Sequence, residues 1–334
     1  MVQIGIIGVG GIAGAHLAGY ARLPQASIVA LCDKIPERAA GKAGEIALNI
    51  GTTSTAQVQA RPYTDYRELL ADPAVEAVDI CLPTDLHAEV AIAALEAGKD
   101  VLSEKPMALQ VADCDRMIAA AQRTGRILMI AQCIRFCPEY VFVKQMLDAG
   151  ADGRVLSATF RRLSGMPRWT SEHWMEDPAR CGGAILDLHI HDVDYIAYLL
   201  GLPRQVVAYG VEDQYGISQV LATYLYDTTS AVHAEGGWHY HDGYPFRMTF
   251  TICLEGATIE MEPGRPLTVY RNGQEPWTPE LPATDLYMNE IAYFLDCVAA
   301  GTPPTIVTPF DARETVRLVH AEIASMRRGG PVTL

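Results

Sequence analysis

Three aspartates and two histidines crowd the run "GGAILDLHIHDVDYIAYLLG" at residues 182–201: Asp187, His189, His191, Asp192 and Asp194. Such a cluster could bind a metal, exchange protons with a substrate, or form the polar face of an ordinary helix. Side-chain direction separates these readings. Leu186, Ile190, Val193, Ala197 and Leu200 recur at steps of three and four, which predicts an amphipathic helix stopped by Gly201. On that helix Asp187 and His191 share a face, whereas His189 and His191 point about 200° apart. An H-x-H pair chelates one ion most readily from an extended strand, and no third and fourth ligand can be assigned, so no metal is expected. Asp187 and His191 are then either a proton-transfer pair or satisfied core groups, and the residues alone leave both open.

The elements that would position such a pair begin at the N-terminus. "QIGIIGVGGIAGAHLAGYARL" passes from a β-branched run through glycines into helical spacing, the order of a βαβ unit. Gly8, Gly10 and Ala13 satisfy G-x-G-x-x-G/A: a tight turn, close backbone approach to a pyrophosphate, and close packing of helix on strand. Val9, Gly11 and Ile12 complete the turn, whose backbone N–H groups would hold the phosphates. A second strand, "ASIVALCD", ends in Asp33, about 20 residues beyond the fingerprint, where a carboxylate accepts from the adenosine ribose and opposes a 2′-phosphate. NAD is therefore expected over NADP, with Lys34 beside the ribose and both Lys34 and Arg38 tempering that preference.

Strand and helix continue to alternate through "VEAVDICLPTDLHAEVAIAALEAG", "DVLSEKPMAL" and "RILMIAQC", which predicts a doubly wound parallel sheet. Ligands of such sheets lie beyond the carboxyl ends of the strands, where "CLPTDLH" and "SEKPM" fall. Pro83, Thr84, His87, Glu104 and Lys105 are thus expected to line the cofactor cleft. The second half offers strand after strand, among them "RVLSATFRRL", "QVVAYGVED", "QVLATYLYD", "SAVHAEGGWHY" and "RMTFTICLEGATIEME". It closes on a helix within "TPFDARETVRLVHAEIASMRRGG", with Asp311 near its start. Residues 49–62 read as a polar surface connection.

Composition narrows the partners. The chain has 334 residues, 49% of them hydrophobic, enough for two cores. With 26 Lys+Arg against 40 Asp+Glu, the net charge of −14 repels phosphate backbones and anionic membranes, so neither nucleic acid nor membrane is expected. No apolar run approaches the roughly 20 residues of a membrane helix. Eight scattered cysteines without C-x-x-C favour a reducing cytoplasm.

Together, "GIIGVGGIAGAH", "CLPTDLH", "SEKPM", "RFCPEY" and "GGAILDLHIHDVD" make the chain resemble the Gfo/Idh/MocA family of oxidoreductases over nearly its whole length. The resemblance implies a Rossmann domain, here residues 1–125. It also implies a substrate-binding α/β domain, residues 126–334, whose large, mostly antiparallel open sheet mediates oligomerisation, as a homodimer or homotetramer. It implies a hydride transfer between NAD and a secondary alcohol of a sugar or inositol-like polyol. Asp187 and His191 match the family's D-x-G-x-H and Lys105 its EKP lysine, the three implied catalytic residues, which also touch substrate. Arg135 matches the arginine of R-R-F, with Ile134 in place of the first arginine, and Trp174 an aromatic that can wall a sugar site. His189 stands where the pattern has glycine and is expected to change the space beside the substrate. The alternative is a catalytically silent nucleotide-binding regulator, against which the joint presence of Lys105, Asp187 and His191 argues.

Overall fold

The computed structural model describes residues 1–41, 60–229 and 231–334. Most of the polar run at 49–62 lies outside the described residues, while Arg61 and Pro62 open a short strand. Two compact units are formed: Met1–Phe136 with Trp169–Trp174 and Thr284–Arg313, and Cys137–Arg168 with Met175–Ala283 and Glu314–Leu334. The helices are α1 Gly11–Tyr20, α2 Pro36–Ala39, α3 Tyr66–Ala71, α4 His87–Glu96, α5 Val111–Thr124, α6 Pro138–Ala149, α7 Pro178–Cys181, α8 Ile190–Leu200, α9 Leu286–Ala300 and α10 Pro309–Arg328.

The first unit is built on a parallel sheet of β1 Val2–Ile7, β2 Ala26–Cys32, β3 Arg61–Tyr63, β4 Ala77–Ile80, β5 Asp100–Glu104 and β6 Leu128–Ala131, in the order β3-β2-β1-β4-β5-β6. Helices on both faces leave its strands no polar side, so Ile4, Ile6, Val78, Ile80, Val101 and Leu102 are wholly buried. The sheet continues past residue 125, since Val101 and Leu102 pair with Leu128 and Met129. Strand order reverses between β1 and β4, where a doubly wound sheet opens its ligand crevice. Helix α9 also belongs here: Ile291, Phe294 and Leu295 join the core of β1 and α1. It lies so close that a Cβ on Gly19 would stand 2.9 Å from Ile291 Cδ1.

The second unit carries an open sheet of eight strands. They are β7 Val155–Gly165, β8 Gln205–Asp213, β9 Gly216–Leu225, β10 Val232–Tyr240, β11 Arg247–Leu254, β12 Thr258–Met261, β13 Thr268–Tyr270 and β14 Val332–Thr333, ordered β13-β12-β11-β7-β10-β9-β8-β14. Only the β7–β10 pair is parallel. Alternation sorts the side chains: Ala158, Phe160, Val220, Ala222, Tyr224, Phe250 and Ile252 point inward and are buried. Tyr140 of α6 and Tyr195 of α8 meet Phe160 and Phe250 edge-on or tilted, with centroids 4.6–6.0 Å apart. The outer face is mixed, running from Tyr209 across Leu221 and Glu235 to Arg161 in one cross-strand row.

The expected terminal helix is present as α10. It starts with a reciprocal cap, in which Asp311 N–H donates to Thr308 Oγ1 and Thr308 N–H to Asp311 Oδ2. Among the described residues, no helix is long and apolar enough to cross a membrane.

Candidate functional site

The turn between β1 and α1 is shaped by what does not fit. Gly8 holds φ +89°, and a Cβ there would sit 2.6 Å from the Cys81 carbonyl oxygen. Only glycine satisfies both constraints. Beside Gly10, by contrast, a Cβ would meet nothing within 4 Å, which leaves backbone open to a ligand. Helix α1 begins with no side-chain cap and no acidic residue in its first turn, so the N–H groups around Gly11, Ile12 and Ala13 suit an anionic group. These features fit a dinucleotide pyrophosphate. Asp33 closes the turn: Oδ2 accepts from Val9 N–H and Oδ1 from Ile35 N–H, both at 2.9 Å. Lys34 is ion-paired with Glu172 at 2.5 Å, which draws its charge away from a 2′-phosphate.

Lys105 lies between two restrained neighbours. On one side Glu104 Oε2 accepts from the Lys105 N–H at 3.0 Å, and Glu104 Oε1 meets His16 Nε2 at 3.0 Å. The other nitrogen of His16 is 2.7 Å from Asp79 Oδ2. On the far side, His87 has Nδ1 2.8 Å from the Pro106 carbonyl oxygen and Nε2 2.8 Å from that of Leu82. His87, expected as a cofactor contact, is only 1% exposed with both nitrogens engaged. It links the loop after β4 to the loop after β5. Burial holds its pKa below the ordinary histidine value, outweighing the two carbonyl contacts. Thr84 is likewise buried, in a one-turn 3₁₀ segment following Pro83.

Sequence reasoning missed the cluster beneath this loop. His16 and Asp79 are fully buried and Glu104 nearly so. Burial alone would lower the His16 pKa, yet the Asp79 charge, the contact with Cys81 and the hydrogen bonds to both raise it well above the ordinary value. Glu104 is pushed up by burial but drawn lower overall, first by its hydrogen bond to His16 and then by the His16 charge. Glu290 of α9 is fully buried, neither carboxyl oxygen has a hydrogen-bond partner, and burial pushes its pKa well up. The available signal was weak: a charged residue inside the four-residue apolar strand "AVDI" and a histidine among small residues on α1.

In the second unit, the predicted helix opens as a π-turn over Ile185–His189 before becoming α8. Single π-turns inside helices frequently mark functional sites. Its three aspartates and two histidines divide cleanly. Asp192 makes a two-pronged ion pair with Arg162, at 2.9 and 3.1 Å, with both side chains at 3% exposure or less. Asp194 accepts from Thr315 Oγ1 at 3.0 Å. His189 is fully buried, its Nε2 3.0 Å from Glu322, and it packs where a Cβ on Gly236 would collide. His189 thus ties the π-turn to α10 and β10. Of the five, Asp187 is 8% exposed and His191 half-buried.

Arg135 is likewise absorbed by structure. Its Nη1 donates to the Ile306 carbonyl at 2.6 Å and lies 3.6 Å from Asp311, with the side chain 2% exposed, so it braces the first unit rather than facing a substrate. Trp174 is half-buried in the turn Ser171–Glu176. His239 and His241 line a pocket of about 460 Å³ in the second unit, with Tyr215, Trp238 and Tyr240. The buried Trp238 indole N–H has no acceptor among the described residues. Tyr215 adjoins the start of the π-turn, since a Cβ on Gly183 would lie 3.5 Å from its carbonyl oxygen.

Residues 2–132 match the family described as "Oxidoreductase family, NAD-binding Rossmann fold", and residues 140–260 match the "GFO/IDH/MocA C-terminal domain". A scyllo-inositol 2-dehydrogenase (NAD(+)) of Bacillus subtilis is 28% identical, covering 100% of this chain and 96% of its own. A 1,5-anhydro-D-fructose reductase of Ensifer adhaerens is 30% identical, covering 72% and 73% respectively. A levoglucosan dehydrogenase solved with NADH and levoglucosan superposes with a TM-score of 0.85 over 99% of each chain at 23% identity, which bears on the fold.

Glu290 gives a pH signature. Its native pKa is raised, so the folded chain keeps a proton that the unfolded chain releases above the ordinary value of about 4.3. The folded state therefore loses stability as pH rises from there through the native pKa. Glu290→Gln removes that penalty: its melting temperature should exceed the parent's at pH 8 and converge with it near pH 4. Thermal melts showing the same difference at both pH values would contradict the buried neutral acid.

Proposed function

The chain belongs to the Gfo/Idh/MocA family of NAD-binding oxidoreductases, and we propose that it oxidises a secondary alcohol of a cyclic polyol or sugar, or reduces the corresponding ketone. The observation that carries this reading is the division of labour in residues 182–201. Asp192, Asp194 and His189 are 1% exposed or less, whereas Asp187 is 8% exposed and His191 half-buried, four residues further along the chain. The curated relatives, named for an inositol and an anhydro sugar, support the substrate class. So does the pocket lined by Tyr215, Trp238, Tyr240, His239 and His241, since sugars combine apolar ring faces with hydroxyl groups.

NAD would be held by the backbone of Gly8 to Ala13 at the pyrophosphate and by Asp33 at the adenosine ribose. When bound, NAD would supply the hydride acceptor for the carbinol carbon. The protein manages the proton. His191 takes the hydroxyl proton as the C–O bond gains double-bond character, and Asp187 orients the imidazole. Lys105, the other residue of the proposed catalytic set, can donate to an alkoxide and stabilise its negative charge. In the reverse direction His191 returns the proton to the ketone oxygen.

Assembly follows from the open sheet. Tyr209, Val211 and Leu221 stand 61%, 48% and 51% exposed on its outer face, an apolar patch next to the Glu235–Arg161 ion pair. A second copy of this chain, carrying the same mixed surface, is the proposed occupant, in a homodimer or homotetramer.

Three measurements test these readings. Purified protein assayed for NADH formation against inositols, aldoses and sugar acids should turn over at least one of them. On that substrate His191→Asn should lower kcat by about 10² to 10⁴, with NAD affinity and melting temperature little changed. Near-normal turnover would remove the proton-transfer role. NAD should bind more tightly than NADP, and Asp33→Ala should narrow the gap while weakening NAD through the loosened Val9 turn. Tighter NADP binding by the unmodified protein would defeat this assignment. Light scattering at micromolar concentration should report an oligomer that Leu221→Glu weakens, and a monomeric parent would reject the sheet-face interface.

A further inference from the structure

We infer that His16 is a positioning residue for Lys105, bridging Asp79 and Glu104 and thereby tying the glycine-turn helix to the backbone that carries the lysine. The inference rests on Lys105 acting on the substrate, as proposed above. His16 sits on α1, Asp79 on β4 and Glu104 at the end of β5, so one imidazole joins three elements at the carboxyl edge of the sheet. Its nitrogens lie 2.7 and 3.0 Å from two carboxylates, which only a doubly protonated ring satisfies as donor to both. Glu104 has a second oxygen, and it accepts from the Lys105 N–H. The chain of contacts therefore runs from the phosphate-binding helix through one imidazole and one carboxylate to the peptide of Lys105.

Other groups surround the ring. Tyr20 lies on the same helix, Cys81 after β4 has Sγ 3.7 Å from Nδ1, and from α9 the Tyr287 ring stands with its centroid 5.7 Å away. Glu290, also on α9, is held neutral by burial and leaves the imidazolium to Asp79 and Glu104. His16, Asp79 and Cys81 bring donor atoms within 4.8 Å of one another, the spacing of a metal site. Metal binding would require a thiolate and a deprotonated ring nitrogen. Burial keeps the Cys81 thiol protonated, and both ring nitrogens already face carboxylates. The cluster is a charge bridge.

Without His16, the Glu104 carboxylate would lose its partner and be free to turn toward the Lys105 ammonium. Geometry and proton affinity at Lys105 would change together, while the turn at Gly8 to Gly10 would be left intact. His16→Gln keeps size and one donor but removes the charge. Its kcat on the substrate found above should fall about tenfold to a hundredfold, with the NADH dissociation constant unchanged within about threefold. The alkaline limb of its kcat–pH profile should move to higher pH, because an uncompensated carboxylate holds the ammonium proton more firmly. A purely structural histidine would lower the melting temperature and leave that limb in place, and this outcome, with full kcat, overturns the inference. Lys105→Met is measured alongside: normal turnover there sinks the proposed role of the lysine, whereas loss of turnover there with a normal His16→Gln sinks the bridge alone. Should His16→Gln fail to fold, nitrogen NMR of the unmodified protein decides. Both His16 nitrogens should be protonated at pH 8, and a neutral ring would overturn the bridge.

Discussion

A charge taken out of water must be met by an opposite charge or a full set of hydrogen bonds, or the fold expels or neutralises it. Both units are organised by that constraint. In the first, His16 is held between Asp79 and Glu104, while Glu290, without a hydrogen-bond partner, is kept neutral. In the second, Arg162 meets Asp192 and His189 meets Glu322, whose other oxygen accepts from Tyr224 at 2.7 Å. Such pairs add little net stability over well-packed apolar groups, but breaking one strands a charge. What they contribute is a single registration of the elements they join. In each unit, one of those elements carries a residue assigned to catalysis.

The sequence makes the architecture legible because its signals are local. A β-branched run, a glycine turn and a helical period lie within some twenty residues, and the alternation of inward Ala158 and Phe160 against outward Thr159 and Arg161 is visible in the order of letters alone. The six-stranded sheet, the long antiparallel sheet and the terminal helix all follow from such patterns. The site is less legible, because what fixes a polar side chain is a partner far along the chain. His87 faces the carbonyl of Pro106, 19 positions away, Arg135 that of Ile306, 171 away, and His189 meets Glu322 at a separation of 133. No periodicity reports such a partner. Each of the three therefore reads as a candidate ligand contact until the fold brings its partner alongside.

The π-turn has the same origin. A regular α-helix over residues 185–200 satisfies the apolar spacing, and nothing in that spacing calls for a longer hydrogen-bonded ring. The cause is packing: Gly182 and Gly183, both at positive φ, let the chain turn tightly against β9, and His189 must reach Glu322 across the space left by the missing side chain of Gly236. A widened turn fits the imidazole into that space without moving α8, which Arg162 anchors one turn later through Asp192. The departure from α-geometry thus comes from two buried polar contacts at fixed places.

Lys105 and His191 are restrained through their neighbours. Glu104 and Pro106 are held by His16 and His87, and residues 189 and 192 by Glu322 and Arg162, so the backbone at each functional residue is fixed on both sides. A base or an electrophile needs a definite origin but also a few tenths of an ångström of travel as a proton moves and charge develops. Clamping the reacting side chain itself with a strong ion pair would fix its proton affinity at the wrong value and oppose that travel. Clamping the residues beside it supplies the origin without that cost. On this argument the histidines at 16, 87 and 189 and the one at 191 do different work for a shared reason. The first three are buried where their position is set by their partners, and the fourth is half-buried on the segment that Glu322 and Arg162 hold in place.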